Sequence, residues 1–250
     1  MGYNYTYMNT NIEPQYRPKH LTIKDIKEGC VTMTNHNEEE TKLCMIQEEF
    51  RQGLDIVAGI TPSVTFYGSA RLGADSPVYK AVTHLAYRIS KELGYAILSG
   101  GGPGIMEAAN KGAYDAKGRS VGLTIKLPFE QATNPYVTDE IPFYFFFARQ
   151  VTMSYTTEVC IFCPGGFGTF NELFEILTLQ QTGKIGRIPV ILFGSEFWNP
   201  INETIKKICL EKFNTINEKD SELYVITDDE DEILKIIASS KMRDGEDALK

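Results

Sequence analysis

The feature that most constrains the fold is the segment 160–175, CIFCPGGFGTFNELFE. It begins as a short apolar run, which predicts a buried strand, turns through Pro-Gly-Gly-x-Gly-Thr, and continues into a predicted helix that contains Glu172 and Glu175. A glycine turn lets the backbone approach a ligand, and a helix N-terminus offers free N–H groups to an anion. The segment therefore predicts a phosphate site. A carboxylate so near an anion costs electrostatic energy, so Glu172 either points away or takes part in chemistry.

The rest of the chain alternates short apolar runs with amphipathic segments. Predicted strands begin near residues 63, 95, 120, 143, 158, 188 and 223, and helical patterns separate them. This alternation predicts an α/β protein with a Rossmann-like three-layer α/β/α fold and a mostly parallel sheet of about seven strands. The aromatic run 143–147 is predicted to be a core strand rather than a base-stacking platform, with a helix over 148–157 after it.

The pattern also suggests how the chain is divided. Residues 1–60 are expected to form an arm and a helix packed on the domain: 1–36 show no clear period, whereas 38–59 have apolar residues at helical spacing. Residues 61–240 are expected to be the nucleotide-binding catalytic domain, and 241–250 a solvated tail.

Composition narrows the partners. The 250 residues carry a net charge of −8, so a nucleic-acid backbone is not expected as a partner and any anion must be bound locally. No apolar run approaches the length of a membrane span, so no membrane partner is expected either. Five cysteines without framework spacing are predicted to be free thiols in a reducing, cytoplasmic compartment. Cys160 and Cys163 lack a second ligand pair for zinc, so neither a metal nor a cofactor is expected.

Three glycine turns follow predicted strands and precede predicted helices. They should therefore meet at one edge of the sheet, where a nucleotide-sized ligand would bind; the alternative is that they are ordinary packing turns. The candidate binding residues in these turns are Gly68, Ser69, Gly101, Gly102, Gly165, Gly166, Gly168 and Thr169.

Two common nucleotide signatures are missing. The first turn, residues 68–73, does not fit the G-x-G-x-x-G pattern of dinucleotide sites, and the strand after the second turn does not end in an acid. No G-K-[ST] follows any glycine turn, as a P-loop would require. A phosphate site without triphosphate machinery points to a nucleoside monophosphate.

Two motifs resemble the LOG family of nucleoside 5′-monophosphate phosphoribohydrolases, which are often labelled lysine decarboxylases. The P-G-G-x-G-T-x-x-E signature is complete and ends at Glu172, and Arg149 stands 23 positions before that glutamate, as in the family. The segment 99–109 resembles the family's second glycine turn. Two departures are Gln150, where the family commonly has lysine, and Asn171, where an acid is common.

The resemblance implies hydrolysis of the N-glycosidic bond, giving free base and ribose 5-phosphate. Glu172 would stabilise positive charge on the ribose and orient or deprotonate water. Arg149 would hold Glu172 ionised or contact the ligand directly, and Glu175 would share the role or be a plain helix acid. The resemblance also implies a homodimer or higher oligomer whose site is completed across the interface.

The sequence has two alternative functional interpretations. A nucleotide-binding protein without turnover, a carrier or a sensor, would use the same turns but would not need an acid beside the phosphate. Pyridoxal-phosphate-dependent lysine decarboxylation has no support, because no lysine and partner acid are placed as that cofactor requires.

Overall fold

The computed structural model of the protein describes residues 22–60, 62–126 and 132–240. The beginning of the predicted arm, 1–21, and the predicted tail, 241–250, lie outside the described residues.

Within these described ranges, seven strands form one sheet. They are β1 (Ser63–Tyr67), β2 (Ala96–Ser99), β3 (Ser120–Ile125), β4 (Asp139–Phe143), β5 (Val159–Phe162), β6 (Val190–Leu192) and β7 (Val225–Ile226). All pairings are parallel, and the spatial order is β4-β3-β2-β1-β5-β6-β7. The predicted fold class is confirmed. The chain runs outward from β1 to β4 and then returns to β5 on the other side of β1, so the topological switch point lies between β1 and β5.

Eight α-helices accompany the strands within the described residues. They are α1 (Ile23–Met33), α2 (Glu38–Val57), α3 (Pro77–Arg88), α4 (Ile105–Asp115), α5 (Phe146–Thr156), α6 (Phe167–Gln181), α7 (Ser195–Ile205) and α8 (Glu230–Ser239). Single π-helical segments, Ile89–Leu93 and Lys206–Lys212, continue α3 and α7, and a 3₁₀ turn covers Glu218–Glu222.

Two apolar layers cover the two faces of the sheet. One contains side chains of α2, α5, α6 and α7, including Met153, Leu173 and Trp198, and the other contains side chains of α3, α4 and α8. Every residue of β1 is buried, as expected for a parallel strand covered on both faces. Cys160 of β5 and Cys163, directly after β5, lie in opposite apolar layers, because residues three apart in an extended segment point to opposite faces.

The segment before β1 is more ordered than the sequence pattern indicates. Residues 23–33, expected to be part of an irregular arm, form α1, which begins with a capping box between Thr22 and Asp25. The expectation that all five cysteines are free thiols is wrong: Cys30 of α1 and Cys44 of α2 form a disulfide. The cause is the packing of α1 on α2, which brings their Cα atoms to 5.7 Å, within disulfide reach. Cys160, Cys163 and Cys209 are not disulfide-bonded within the described residues.

The predicted strand over 143–147 is also wrong in its bounds. The strand β4 ends at Phe143, and α5 already begins at Phe146. The rings of Tyr144, Phe146 and Phe147 are about half exposed rather than buried in the core. Aromatic residues have strong strand propensity, but tertiary contacts differ from it here, since the backbone N–H groups of Tyr144 and Phe145 donate to Glu49 of α2 just before α5.

None of the helices in the described part of the chain combines the length and the apolar character that a bilayer crossing needs.

Candidate active site

The loops after β1, β2 and β5 meet at the switch point. The backbone N–H of Ser69 donates to the carbonyl of Pro164 at 3.0 Å, and the N–H of Ile105 donates to the carbonyl of Ser69 at 2.9 Å. One residue of the first loop therefore joins the other two loops. The three glycine turns converge as the sequence predicts.

Two glycines in these turns are needed for close packing of the loops. A Cβ on Gly68 would lie 2.5 Å from Ile105 Cγ2. Gly104 has φ +71°, and a Cβ there would lie 2.3 Å from the carbonyl oxygen of Ser69. Side chains at these two positions would push the loops apart, so glycine is needed to bring them together.

The glycines at the start of α6 differ among themselves. A Cβ on Gly165 would lie 2.1 Å from Thr169 Oγ1, so this glycine is needed for the turn itself. Gly166 and Gly168 have no positive φ, and a Cβ on either would meet nothing within 4 Å. Their lack of a side chain is explained neither by backbone strain nor by protein packing, and it leaves open space in front of the helix.

The N-terminus of α6 borders that space. Its N-cap residue is Gly166, and no side chain caps the helix. The N–H groups of a first helical turn have no partner within the helix, so they are available to an anion. Thr169 is buried in this turn.

Arg149 of α5 and Glu172 of α6 form an ion pair beside this helix start. Arg149 Nη2 donates to Glu172 Oε1 at 2.9 Å. The arginine is only 7% exposed, and its guanidinium carbon lies 4.7 Å from the centre of the Phe146 ring. Its Nε has no hydrogen-bond partner among the described residues. A buried guanidinium with one donor unused can still contact a ligand.

Burial controls the protonation of Glu172. It raises the pKa of Glu172 from 4.5 to about 7; the positive charge of Arg149 acts in the opposite direction, and Glu175 raises the pKa further. Because this pKa lies above that of an unfolded glutamate, the associated stability is fully present below about pH 4.5 and is lost as the pH rises through about 7. The carboxyl is thus poised to exchange a proton near neutral pH.

Glu175 lies one turn further along α6 and faces a different partner. Gln150 Nε2 donates to Glu175 Oε2. Burial raises the pKa of Glu175, and the hydrogen bond from Gln150 lowers it. Glu175 is not among the residues that line the cleft. Gln150, which stands where the family commonly has lysine, therefore contacts Glu175, the second candidate acid.

Gly101 and Gly102 are also placed away from the cleft. The Asn134 Nδ2 group donates to the carbonyls of both glycines at 3.0 Å, and Asn134 also contacts Asn110. A Cβ on Gly101 would lie 2.7 Å from Thr124 Cγ2. In the described structure these two glycines shape a buried turn, and Gly100 is the residue of this loop that lines the cleft.

The cleft at the switch point has a volume of about 770 Å³. The candidate residues that line it are Gly68, Ser69, Arg149, Gly165, Gly166, Gly168, Thr169 and Glu172. Lining residues that sequence reasoning did not select include Tyr67, Arg71, Met106, Phe146, Met153 and Phe197. Arg71 stands two positions after Ser69 in the first glycine turn, which is a signal for it, whereas Phe146 falls in the aromatic run expected to be a core strand. No lysine lines the cleft within the described residues.

The parallel sheet, its switch point and the glycine-lined cleft define a Rossmann-like α/β protein with a candidate ligand site. Among solved structures, the chain is similar to a structural-genomics target (TM-score 0.52, 24% identity, 70% of this chain and 98% of that chain). It is also similar to the molybdenum cofactor carrier protein of Chlamydomonas reinhardtii (TM-score 0.52, 19% identity, 71% and 99%). At such identities the likeness concerns the fold alone.

Sequence comparison defines the family. The profile of the family described as "Possible lysine decarboxylase" matches residues 106–237, so the chain belongs to this family, the LOG family. Two relatives are cytokinin riboside 5′-monophosphate phosphoribohydrolases. The one from Rhodococcoides fascians is 25% identical over 155 residues, 61% of this chain and 78% of the relative. The one from Arabidopsis thaliana is 27% identical over 150 residues, 59% and 70%.

The buried pair leads to a prediction about titration. In carboxyl-carbon NMR of protein labelled at glutamate, Glu172 should titrate with a midpoint near pH 7. Arg149→Met should raise that midpoint by about one pH unit or more, because the nearest positive charge is lost. Arg51→Met is the control, since Arg51 is an exposed residue of α2 that pairs with Glu48 and Asp55. A Glu172 midpoint that does not move in Arg149→Met would contradict the assigned pairing.

Proposed function

We propose that the protein hydrolyses the N-glycosidic bond of nucleoside 5′-monophosphates, releasing free base and ribose 5-phosphate. Family membership and the names of the two relatives support this class of reaction. The observation on which the proposal mainly rests is the buried Arg149–Glu172 pair, which lines the cleft beside the uncapped N-terminus of α6.

In this proposal the phosphate binds at the start of α6. The first-turn N–H groups of α6 donate to it, and Gly166 and Gly168 leave it room. Gly68, Ser69, Gly165 and Thr169 frame the same pocket. Arg71, a cation on the cleft wall, adds local positive charge in a protein whose net charge is −8.

The spacing along α6 suits a ribose phosphate. Glu172 lies five residues after Phe167, about 7.5 Å along the helix axis. That separation is comparable to the span from a 5′-phosphate to the anomeric carbon of the same ribose. A phosphate held at the helix start would therefore place C1′ near the Glu172 carboxylate, and phosphate binding would assist a reaction at a remote atom.

The chemistry then follows from the charges. As the C1′–N bond breaks, its electron pair leaves with the base and positive charge develops on the ribose, which the Glu172 carboxylate stabilises. Glu172 accepts a proton from the attacking water, whose oxygen bonds to C1′. The departing base nitrogen takes up a proton from solvent and Glu172 returns its proton to solvent, so that one water is added across the C1′–N bond. Arg149 holds the carboxylate in place and favours its ionised form. Glu175, coupled to Glu172 by charge, modulates its protonation.

Activity on monophosphates is tested most simply by base release. Wild-type protein incubated with AMP, GMP, CMP and isopentenyladenosine monophosphate should release free base from at least one, measured by liquid chromatography. Glu172→Gln should lower the rate by on the order of 100-fold or more, because the variant cannot accept a proton or offset the ribose charge. Glu203→Gln, an exposed acid on α7, should match wild type.

The outcome also separates the two classes of function. Tight monophosphate binding without base release from any of the four would replace the enzyme proposal by the carrier or sensor. Wild-type rates in Glu172→Gln would remove Glu172 from the mechanism.

A second prediction concerns Gly168. Gly168→Ala places a methyl group in open space, so the free energy of unfolding should be unchanged or raised by up to about 1 kcal/mol. Monophosphate binding should weaken at least tenfold in calorimetric titration, because the methyl group occupies the space of the phosphate. Gly29→Ala is the matched control: it is also a helical glycine with nothing near its Cβ, but it lies in α1, away from the cleft. Equal affinities of the two variants would place the phosphate elsewhere.

The proposal includes a homodimer or higher oligomer in the cytoplasm, with neither nucleic acid nor membrane as partner. Phe167, 96% exposed at the mouth of the cleft, and the half-exposed rings of Phe146 and Phe174 support the proposal that a second copy of the chain covers this surface.

Light scattering should give at least twice the chain mass of 28.1 kDa, and Phe167→Asp should lower the measured mass. A monomer at micromolar concentration would contradict the expected assembly.

The Cys30–Cys44 disulfide is the feature that stands against a reducing compartment.

A further inference from the structure

We propose that Glu49 is a positioning residue for the reaction: its carboxylate holds the backbone at the start of α5 and thereby places Arg149 against Glu172. This inference rests on the proposed function, and it assigns a role to a helix that precedes the predicted catalytic domain.

Glu49 is a buried acid with an unusual set of partners. It lies on α2 and is only 2% exposed. One carboxylate oxygen accepts from the backbone N–H of Tyr144 at 2.9 Å, and the other accepts from the N–H of Phe145 at 3.0 Å. Phe145 is the N-cap residue of α5, and no side-chain cap is formed at that position. An acid 96 positions away therefore accepts from the N-cap N–H, as a Glu or Gln at N3 does in a capping box.

A backbone hydrogen bond joins Phe145, which Glu49 contacts, to Arg149, which forms the ion pair. The N–H of Arg149 donates to the carbonyl of Phe145 at 3.2 Å, and Arg149 Nη2 donates to Glu172 at 2.9 Å. A shift of Phe145 would therefore move the backbone from which the guanidinium extends. Because Arg149 is buried, a displaced guanidinium has few other orientations in which to keep its bond to Glu172.

The helix that bears Glu49 is held firmly against α5 and β4. A Cβ on Gly53 would lie 2.9 Å from both Phe143 Cζ and Thr152 Oγ1, so the two helices approach closely at this point. The Phe50 and Phe147 rings lie 6.1 Å apart. These contacts fix the position of α2. The buried side chain of Glu49 can therefore fix the position of the backbone at the start of α5.

The disulfide belongs to the same assembly. Cys30 packs with Ile26 and Met45 in a small apolar cluster, and Cys44 and Phe145 pack against it. The covalent link between α1 and α2 therefore lies beside the residue whose N–H Glu49 accepts.

A carboxylate suits this role better than its amide. Both oxygens of Glu49 accept from backbone N–H groups, whereas glutamine has a single acceptor oxygen and would direct its NH₂ group toward one of the two donors. Glu49→Gln keeps the size of the side chain and removes one of the two bonds, so it alters the cap with little change in packing. Glu49→Ala removes both bonds.

The experiment compares steady-state kinetics of wild type, Glu49→Gln and Glu49→Ala with the best monophosphate from the base-release screen. We expect kcat to fall about tenfold in Glu49→Gln and by on the order of 100-fold in Glu49→Ala, with KM changed less than about threefold, because the phosphate site on α6 is untouched. The acidic limb of the kcat/KM profile should move to higher pH, because Arg149 no longer favours the ionised form of Glu172.

Two controls separate positioning from general stability. Glu48→Gln changes the neighbouring acid, which pairs with Arg51, and should leave kcat and the pH profile as in wild type. Ile237→Val truncates a fully buried side chain of α8 in the other apolar layer, so it lowers stability without touching α5. A loss of kcat in Ile237→Val equal to that in Glu49→Gln, or an unmoved pH profile in Glu49→Gln, would overturn the proposal.

The failure of the proposed reaction is distinguished from the failure of this inference by a measurement that needs no turnover. If wild type releases no base, the NMR titration of Glu172 in wild type and Glu49→Gln still reports on the pairing. A higher Glu172 midpoint in Glu49→Gln supports the positioning role, and an unchanged midpoint rejects it. The isosteric variant makes this comparison independent of whether Glu49→Ala folds.

Discussion

The ion pair between Arg149 and Glu172 is the interaction on which the rest of the site depends. Removing two charges from water is costly, and a buried pair offsets that cost only with good geometry and additional hydrogen bonds. Here burial still dominates, since the pKa of Glu172 stays near 7 beside a guanidinium. Apolar side chains at these two positions would stabilise the fold without the desolvation cost of two charges. A chemical role for the carboxyl accounts for a buried ion pair at the edge of a cleft.

The surrounding structure explains how the pair is held. The parallel sheet places the loops after β1 and β5 side by side, and Ser69 joins them through backbone hydrogen bonds. The turn before α6 sets the position of Glu172, while the contact of Glu49 with the start of α5 sets that of Arg149. The consecutive helices α5 and α6 therefore meet with Arg149 Nη2 and Glu172 Oε1 2.9 Å apart. The open space in front of Gly166 and Gly168 lies next to this meeting point.

Much of the fold could be predicted because local patterns agree with it. Apolar runs alternate with amphipathic segments, and each glycine turn follows a strand, so both the sheet and the convergence of the turns could be inferred. The spacing of Arg149 and Glu172 indicated a pair that the structure contains. Other features depend on long-range contacts with no local signal. The contact of Glu49 with the backbone of Tyr144 and Phe145 joins positions 95 and 96 residues apart. The Cys30–Cys44 bond likewise depends on the packing of α1 on α2. Gly101 and Gly102 resembled binding glycines, but Asn134 draws their carbonyls into a buried network.

The central claim is that a ribose 5′-phosphate lies with its phosphate at the start of α6 and its anomeric carbon beside residue 172. The most direct measurement is a crystal structure of the Glu172→Gln variant with AMP bound. The account predicts phosphate oxygens within hydrogen-bonding distance of the Gly168 and Thr169 N–H groups and C1′ next to the residue 172 side chain. A nucleotide bound at another edge of the sheet, or with its base rather than its phosphate at the start of α6, would contradict it.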